Sequence, residues 1–290
     1  MKRNLVAAVL SLFLLSGCGI RDDAKINHDL WQDEPSMKRP SPEMQIWDID
    51  ELLRRPVSPY AAHVYSHQGT GREETSETFA AYDLAIAYGS RFLEQDLCLS
   101  SDGVLYCCHD DTPKAVSGVD RSFSELTAAE IDALRTKDGQ SILRLRDVFG
   151  RYGRNVTYVV EVRPGTLAPF LDLVRELELQ DRVIMQSAVL DDLKEADRVF
   201  PDMKKLFLVF SANRERYEQA IAADCVDIIC VSGDYFDQEN CDRVHAAGKE
   251  FNVAVLNRAD WIKRAIEMGV DSYFTDYTAK AFAIEEAYRK

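Results

Sequence analysis

The sequence has little of what a nucleic-acid-binding, zinc-binding or membrane-spanning protein requires. Its 290 residues include 35 Lys and Arg against 49 Asp and Glu, and the net charge of −14 disfavours nucleic acid as a partner. The seven Cys residues show no zinc-ligand spacing, and no repeated unit is visible. The apolar run at 5–15 is shorter than the roughly 20 residues that a spanning helix needs. What remains has the composition of a globular protein with one large core.

The first 18 residues resemble the export signal of a bacterial lipoprotein. Lys2 and Arg3 precede the apolar run, and Leu15-Ser16-Gly17-Cys18 resembles the lipobox. We therefore expect residues 1–17 to be removed and Cys18 to carry a lipid. This would place the protein in the bacterial cell envelope, anchored to the membrane and facing outside the cytoplasm. The alternative is an ordinary signal peptide with a coincidental cysteine.

Residues 18–60 have the composition of a flexible tether. They are rich in Asp, Glu, Pro and Ser and contain few apolar residues. Helical spacing at 46–53 predicts one short helix that packs on the domain. Residues 61–290 are long enough for one catalytic domain.

Segments with strand character alternate along this domain with segments of helical spacing. The predicted strands are 61–66, 91–97, 104–108, 157–162, 182–186, 205–210, 226–231, 250–255 and 271–275. The predicted helices are 78–88, 167–177, 191–199, 214–223, 238–247, 260–268 and 279–288. This alternation indicates an α/β fold with a parallel sheet covered by helices. About eight repeats favour a closed (β/α)8 TIM barrel over an open doubly wound sheet.

Polar side chains end several of these strands, at the edge where barrel enzymes place their sites. His67 ends the first strand, and Glu94 and Asp96 are two residues apart, so one face of a strand carries both. Two neighbouring carboxylates repel unless a proton or a cation lies between them. A hard divalent ion, Ca²⁺ or Mg²⁺, resolves this repulsion. It would also supply the positive centre that an anionic substrate needs on so acidic a chain.

The Asp-Gly pair at 102–103 predicts a hairpin that brings a second histidine to the acidic pair. A two-residue loop would place His109 opposite Asp96. It would also place Cys98 opposite Cys107, which makes these two cysteines the thiol pair to test for a bridge. We otherwise expect no obligatory disulfide, because a domain of this size does not need one.

A further pair of charged residues, Glu161 and Arg163, ends the strand predicted at 157–162. Glu161 is a candidate to complete the cation's shell, and Arg163 is a candidate to bind a phosphate oxygen. The alternative is an ordinary salt bridge at the rim of the barrel. The functional interpretation is preferred because the second strand shows the same arrangement.

Several short motifs, in this order, resemble the signature of the glycerophosphodiester phosphodiesterases from about residue 64 to residue 277. They are Ser66-His67-Gln68-Gly69, Ser76-Glu77-Thr78-Phe79-Ala80-Ala81-Tyr82, Glu94-Gln95-Asp96, Asp102-Gly103, His109-Asp110, Glu161-Val162-Arg163 and Thr275-Asp276. The resemblance implies a TIM barrel, a divalent cation held by acidic residues and two histidines that act as acid and base. By position, the histidines are His67 and His109, and the cation ligands are Glu94, Asp96 and Glu161.

The chain departs from the family's pattern at three places. The family usually has Arg where Gln68 stands, so Gln68 holds a phosphate-binding position without a guanidinium group. The family's glutamate ligand aligns with Ser76, and we expect Glu77 to reach the ion by a local backbone shift, with Glu74 or water as alternatives. Ala254 stands where the family commonly has an aromatic residue, which alters the pocket for the alcohol group.

The predicted function is metal-dependent hydrolysis of a small-molecule glycerophosphodiester to glycerol phosphate and an alcohol. A lipid-derived substrate is the first alternative, as in an enzyme resembling lysophospholipase D or sphingomyelinase D. A catalytically degenerate barrel that binds phosphodiesters is the second.

Other polar residues have structural interpretations. Asp110 either orients His109 or caps a loop, and for Thr275 and Asp276 we favour capping of the last helix over support of the site. Three further histidines are read as hydrogen-bond partners only: His28, His63 and His245.

Overall fold

The structure is a computed structural model that describes residues 48–209, 214–233 and 236–289. The predicted export signal, Cys18 and the tether up to residue 47 lie outside the described residues. Among the helices that the structure describes, none combines the length and hydropathy needed to cross a membrane.

The described part of the chain contains nine strands. They are β1 Val64–Ser66, β2 Phe92–Leu99, β3 Leu105–Cys107, β4 Thr157–Glu161, β5 Val183–Ser187, β6 Lys204–Val209, β7 Ile228–Ser232, β8 Glu250–Ala254 and β9 Ser272–Thr275. All except β3 are parallel, and the pairing of β1 with both β9 and β2 closes them into a ring. The predicted (β/α)8 barrel is therefore confirmed.

Helices occupy the connections between these strands and flank them at both ends of the described chain. They are α1 Ile49–Leu53, α2 Phe79–Ala87, α3 Lys114–Ser117, α4 Ala128–Ala133, α5 Leu145–Tyr152, α6 Leu167–Leu177, α7 Leu190–Val199, α8 Arg214–Ala222, α9 Gln238–Ala246, α10 Ala259–Met268 and α11 Thr278–Tyr288, with a 3-10 turn at Phe123–Glu125. The short helix predicted within 46–53 is α1. Asp48 starts it by accepting a hydrogen bond from the backbone N of Glu51, and its Leu52 is fully buried.

Strand alternation explains why polar residues collect at one end of the barrel. Successive residues of a strand face the barrel interior and the helices in turn. The interior cluster consists of Tyr65, Val159, Ile184, Leu206, Leu208, Ile228, Cys230 and Phe274. Four of these residues, Tyr65, Val159, Ile184 and Phe274, are each followed two positions later by a polar residue at the carboxyl end of β1, β4, β5 or β9. These polar residues are His67, Glu161, Gln186 and Asp276. The apolar core of the barrel therefore ends in a polar layer at its mouth.

The hairpin between β2 and β3 has a three-residue loop, not the two-residue loop of the sequence prediction. The backbone N of Ser100 donates to the carbonyl of Val104 at 2.9 Å, so residues 101–103 form the loop. Gly103 has a φ of +86°, the left-handed conformation that such a loop needs at its last position.

The longer loop shifts the pairing by one residue. The backbone of Cys108, not that of His109, donates to the carbonyl of Asp96 at 2.9 Å. Cys98 pairs with Tyr106, so the predicted pairing of Cys98 with Cys107 is wrong.

The region between β3 and β4 is more helical than the sequence pattern suggested. None of the helices α3, α4 and α5 was predicted. In α5 the buried side chains are Leu145, Val148, Phe149 and Tyr152, a three- and four-residue spacing typical of an amphipathic helix. This helix is the one that joins β2 and its hairpin to β4, so it completes the barrel's alternation.

Gln95, on the outer face of β2, is a residue whose burial lowers the stability of the fold. It is fully buried, and neither polar atom of its amide has a hydrogen-bond partner among the residues that the structure describes. A buried polar group without a partner costs about 1–3 kcal/mol. We expect Gln95→Met to raise the free energy of unfolding by about this amount in urea denaturation. The matched control is Gln186→Met, because Gln186 is equally buried but donates to Glu94 at 2.9 Å, and this variant should not be stabilised. An unchanged or lower stability of Gln95→Met would contradict this interpretation.

Candidate active site

Three buried carboxylates converge at the mouth of the barrel. One oxygen from each of Glu77, Glu94 and Asp96 lies within 4.8 Å of the others, and all three side chains are buried. Glu94 and Asp96 come from the same face of β2, as their spacing predicted. Glu77 comes from the loop between β1 and α2.

A left-handed backbone conformation accompanies the placement of Glu77 in this group. Glu77 has a φ of +60°, which is uncommon for a residue with a side chain. Its carboxylate accepts hydrogen bonds from the backbone N of Asp96, at 2.9 Å, and from the hydroxyl of Tyr82. Glu77 therefore lies beside the other two carboxylates, as expected if it takes the place of the family's glutamate, while Tyr82 is a supporting residue that the sequence interpretation missed.

The surroundings of the three carboxylates shift their pKa values in different directions. Burial and the neighbouring Asp96 raise the pKa of Glu77 and of Glu94 well above the ordinary value. Burial also raises the pKa of Asp96, but the charges of Arg163, His109 and His67 outweigh it, so this pKa is lowered. Without a cation, Asp96 therefore tends to stay ionised, while Glu77 and Glu94 tend to be protonated.

This arrangement fits a hard divalent cation. All candidate ligands are carboxylate oxygens, which Ca²⁺ and Mg²⁺ prefer. Three buried carboxylates at this separation favour a bound positive charge, because each would otherwise raise the pKa of another. Glu77, Glu94 and Asp96 are the residues that would hold it.

Glu161 and Arg163 lie next to this group but interact mainly with each other and with Asp96. Glu161 is aligned with Asp96 on the neighbouring strand and lies outside the compact group of three. Burial and the charge of Asp96 raise the pKa of Glu161 to about 8. Arg163 donates to Asp96 at 3.0 Å and to the carbonyl of His109, and its Nε lies 3.5 Å from Glu161.

Gln68 bridges the two carboxylates of β2. Its backbone N donates to Glu94 and its side-chain Nε2 donates to Asp96, each at 2.9 Å. Its φ of +52° is again left-handed. Gln186 on β5 donates to the other oxygen of Glu94 at 2.9 Å, a contact that the sequence interpretation did not anticipate.

His67 is held between an acidic partner and the carboxylate group. Its Nδ1 lies 2.7 Å from Asp276 Oδ1, and its Nε2 lies 4.0 Å from Glu94. Burial lowers the pKa of His67, but the hydrogen bond and charge of Asp276, with Glu94 and Asp96, outweigh it and raise the pKa to about 10. Asp276 therefore fixes which ring nitrogen of His67 faces the site.

Asn257 holds Asp276 in turn. Its Nδ2 donates to Asp276 Oδ2 at 2.6 Å, and its Oδ1 accepts from the backbone N of Asp276 at 2.9 Å. Asp276 makes no capping hydrogen bond to α11, whose N-terminal flank is Tyr277. The preferred capping role of Asp276 is therefore wrong, and its carboxylate contacts His67 and Asn257 instead. Asn257 follows β8 by three residues, and this position was the only sequence signal for it.

His109 lies at the exposed rim of the site. Its side chain is 44% exposed, and its Nδ1 lies 2.9 Å from Asp110 Oδ1. Asp110 thus orients His109 rather than capping a loop. Arg163 donates both to the carbonyl of His109 and to Asp96, so His109 lies on the same side of the barrel as the carboxylates.

Sequence comparison connects this geometry to a known family. The sequence profile of the glycerophosphoryl diester phosphodiesterase family matches residues 67–280. A glycerophosphodiester phosphodiesterase of Caldanaerobacter subterraneus subsp. tengcongensis is 23% identical, over 73% of this chain and 93% of that protein. One from Bacillus subtilis is 20% identical, over 80% of this chain and 89% of that protein.

Solved structures share the fold. A glycerophosphodiester phosphodiesterase from Agrobacterium tumefaciens has a TM-score of 0.68 at 21% identity, covering 78% of this chain and 99% of its own. A phosphodiesterase from Oleispira antarctica, solved with the product sn-glycerol-3-phosphate, has a TM-score of 0.69 at 21% identity. It covers 78% of this chain and 98% of its own.

Proposed function

We propose that this chain, which belongs to the glycerophosphoryl diester phosphodiesterase family, hydrolyses glycerophosphodiesters with a divalent cation and two histidines. The products are glycerol phosphate and an alcohol. The observation that carries the proposal is the position of His67, whose Nε2 lies 4.0 Å from one of three converging buried carboxylates.

The two histidines would divide the proton transfers. One takes a proton from the attacking water, or from a neighbouring hydroxyl of the substrate, as the new phosphorus–oxygen bond forms. The other gives a proton to the departing alkoxide as the old bond breaks. His67 is fixed for such a role by Asp276, and His109 by Asp110.

The carboxylates have a separate task. Glu77, Glu94 and Asp96 would hold the cation, with Glu161 as a further candidate ligand. When bound, a divalent cation polarises a phosphoryl oxygen and neutralises the charge that develops on it. Gln68, Gln186 and Tyr82 keep the carboxylates in position through hydrogen bonds; these three residues act through the ligands.

A lipid-directed phosphodiesterase is the second candidate. Such an enzyme needs an exposed apolar patch at the barrel mouth. The large apolar side chains exposed in the described residues are Val57, Val189 and Tyr288, and of these Val189 alone follows the carboxyl end of a strand. Among the described residues, Val189 is therefore the one large, exposed apolar side chain that follows a strand's carboxyl end.

A substrate panel tests the proposal against both alternatives. Glycerophosphocholine, glycerophosphoethanolamine, lysophosphatidylcholine and sphingomyelin are incubated with the protein and Ca²⁺ or Mg²⁺, and the products are identified by mass spectrometry. We expect glycerol phosphate from the first two. Cleavage of the lipids alone would support the lipid-directed enzyme, and saturable binding without turnover under either ion would support the degenerate barrel.

We also propose that the protein is a lipoprotein of the bacterial cell envelope, with Cys18 as its lipidated first residue. The support is the sequence pattern at residues 2–18. Mass spectrometry of the mature N-terminus should find a diacylglyceryl cysteine. An unmodified N-terminus elsewhere would overturn this assignment.

Asp276→Asn tests the support of His67. An amide cannot supply the charge that favours the protonated ring and fixes its orientation. We expect kcat on a glycerophosphodiester to fall on the order of 10²-fold, the lower end of what a general acid or base contributes. The matched control is Asp271→Asn, because Asp271 lies 2.7 Å from His245 at the other end of the barrel and should leave kcat unchanged. Equal effects of the two variants would point to folding rather than catalysis.

A further inference from the structure

The two residues that the sequence assigned to phosphate binding donate to acceptors of the protein instead. The side-chain nitrogen of Gln68 donates to Asp96. Arg163 is shared among Asp96, Glu161 and the carbonyl of His109, and its side chain is only 19% exposed. Besides the proposed cation, a further positive group at the mouth would favour an anionic substrate, since the surrounding side chains are acidic and the chain carries a net charge of −14.

Arg72 is a cation beside His67. Its Nε lies 3.6 Å from Asp276 Oδ2, and Asp276 Oδ1 lies 2.7 Å from His67. The side chain of Arg72 is 41% exposed. Within the described residues, no hydrogen bond occupies its two terminal nitrogens, so they are available to a ligand.

The loop after β1 brings Arg72 to this position. The backbone N of Gly71 donates to the carbonyl of His67 at 3.4 Å, so the chain turns back over the histidine. A Cβ on Gly71 would lie 3.2 Å from that carbonyl oxygen, closer than side chains normally tolerate. The small residue thus permits the close turn that places Arg72 beside the His67–Asp276 pair.

We propose that Arg72 binds a phosphoryl oxygen of the substrate on the His67 side of the site, a role that the sequence analysis did not assign to it. The inference rests on the proposed function and names a substrate-binding residue for it. The guanidinium group has terminal N–H donors suited to phosphate oxygens. Its ion pair with Asp276 through Nε places the group beside His67, and within the described residues its terminal nitrogens have no hydrogen-bond acceptor.

A comparison of KM with kcat separates substrate binding from mere support of Asp276. Arg72→Ala should raise KM for glycerophosphocholine by about 10- to 100-fold, the range for loss of a charge-assisted hydrogen bond. The dissociation constant of inorganic phosphate, measured by calorimetry with saturating Mg²⁺, should rise by a similar factor. For Arg72→Lys, both values should lie between those of the wild type and of Arg72→Ala, because lysine keeps the charge but loses the fork geometry of the guanidinium group.

Arg258→Ala is the matched control. Arg258 lies at the same end of the barrel but pairs with Asp260, at 2.6 Å, so KM should stay within a few-fold of wild type. A fall in kcat with unchanged KM and phosphate affinity in Arg72→Ala would overturn the assignment and leave Arg72 as a support of Asp276. Unchanged kcat and KM would overturn it too. If the wild type itself releases no glycerol phosphate, the proposed function fails, whereas an active wild type with these results refutes Arg72 alone.

Discussion

Replacing His67 by Asn should lower kcat on a glycerophosphodiester by about 10²–10⁴-fold, the contribution of one general acid or base. The substitution keeps a polar side chain of similar reach but removes the group that can transfer a proton. His109→Asn should fall in the same range. The measurement is the initial rate of glycerol phosphate release at saturating substrate and cation.

His245→Asn is the control for this experiment. His245 lies 2.7 Å from Asp271, the same distance that separates His67 from Asp276, but its pair lies at the amino end of the barrel. It shares the local chemistry of His67 without access to the carboxylates. Wild-type rates in His67→Asn, or equal losses in both variants, would remove His67 from catalysis.

Glu77→Gln and Glu94→Gln should abolish the stabilisation that a divalent cation gives to the wild type. A ligand that binds only the folded state at 100 times its dissociation constant adds about 2.7 kcal/mol to the free energy of unfolding. Each substitution removes one charged ligand from the compact group of three. Urea denaturation with and without Ca²⁺ or Mg²⁺ measures the difference.

Glu161→Gln is the informative comparison, because it separates the sequence-based ligand set from the structural one. Glu161 lies outside the compact group and pairs with Arg163 at 3.5 Å. Most of the cation's stabilisation should therefore survive in Glu161→Gln. If the stabilisation by the cation were lost completely in Glu161→Gln but retained in Glu77→Gln, Glu161 rather than Glu77 would be the ligand.

The barrel could be predicted because its strands are short apolar runs that stand out from the segments of helical spacing between them. The strands predicted at 157–162 and 250–255 differ from β4 and β8 by a single residue, and the helix predicted at 167–177 is α6 itself. A buried parallel strand needs apolar residues on both faces, which makes it visible in a single sequence.

The missed elements lie where the signal was local and short. The loop of the β2–β3 hairpin depends on one left-handed glycine, Gly103, and a one-residue error there exchanges Cys108 for His109. Helix α5 was visible in its spacing, but it lies in a polar region without a strong start signal: Arg144 makes no side-chain cap. These features depend on tertiary packing, which a sequence pattern reports only weakly.

Site residues on strands were easier to predict than those on loops. Glu94 and Asp96 share a face because alternation is fixed along a strand. The roles of Asn257 and Arg72 depend on how loops turn back at the barrel mouth, and no spacing rule gives that. Gln68 could be singled out as an unusual residue, but its donation to Asp96 could not be derived from its position in the sequence.

If Glu77, Glu94 and Asp96 hold one divalent cation beside His67, phosphodiester hydrolysis should depend on that cation. The most direct measurement is glycerol phosphate release from glycerophosphocholine by protein treated with a chelator, dialysed, and then titrated with Ca²⁺ or Mg²⁺. We predict loss of activity on chelation and its saturable return with one of the two ions. Full activity after chelation, or no activity with either ion, would contradict the account.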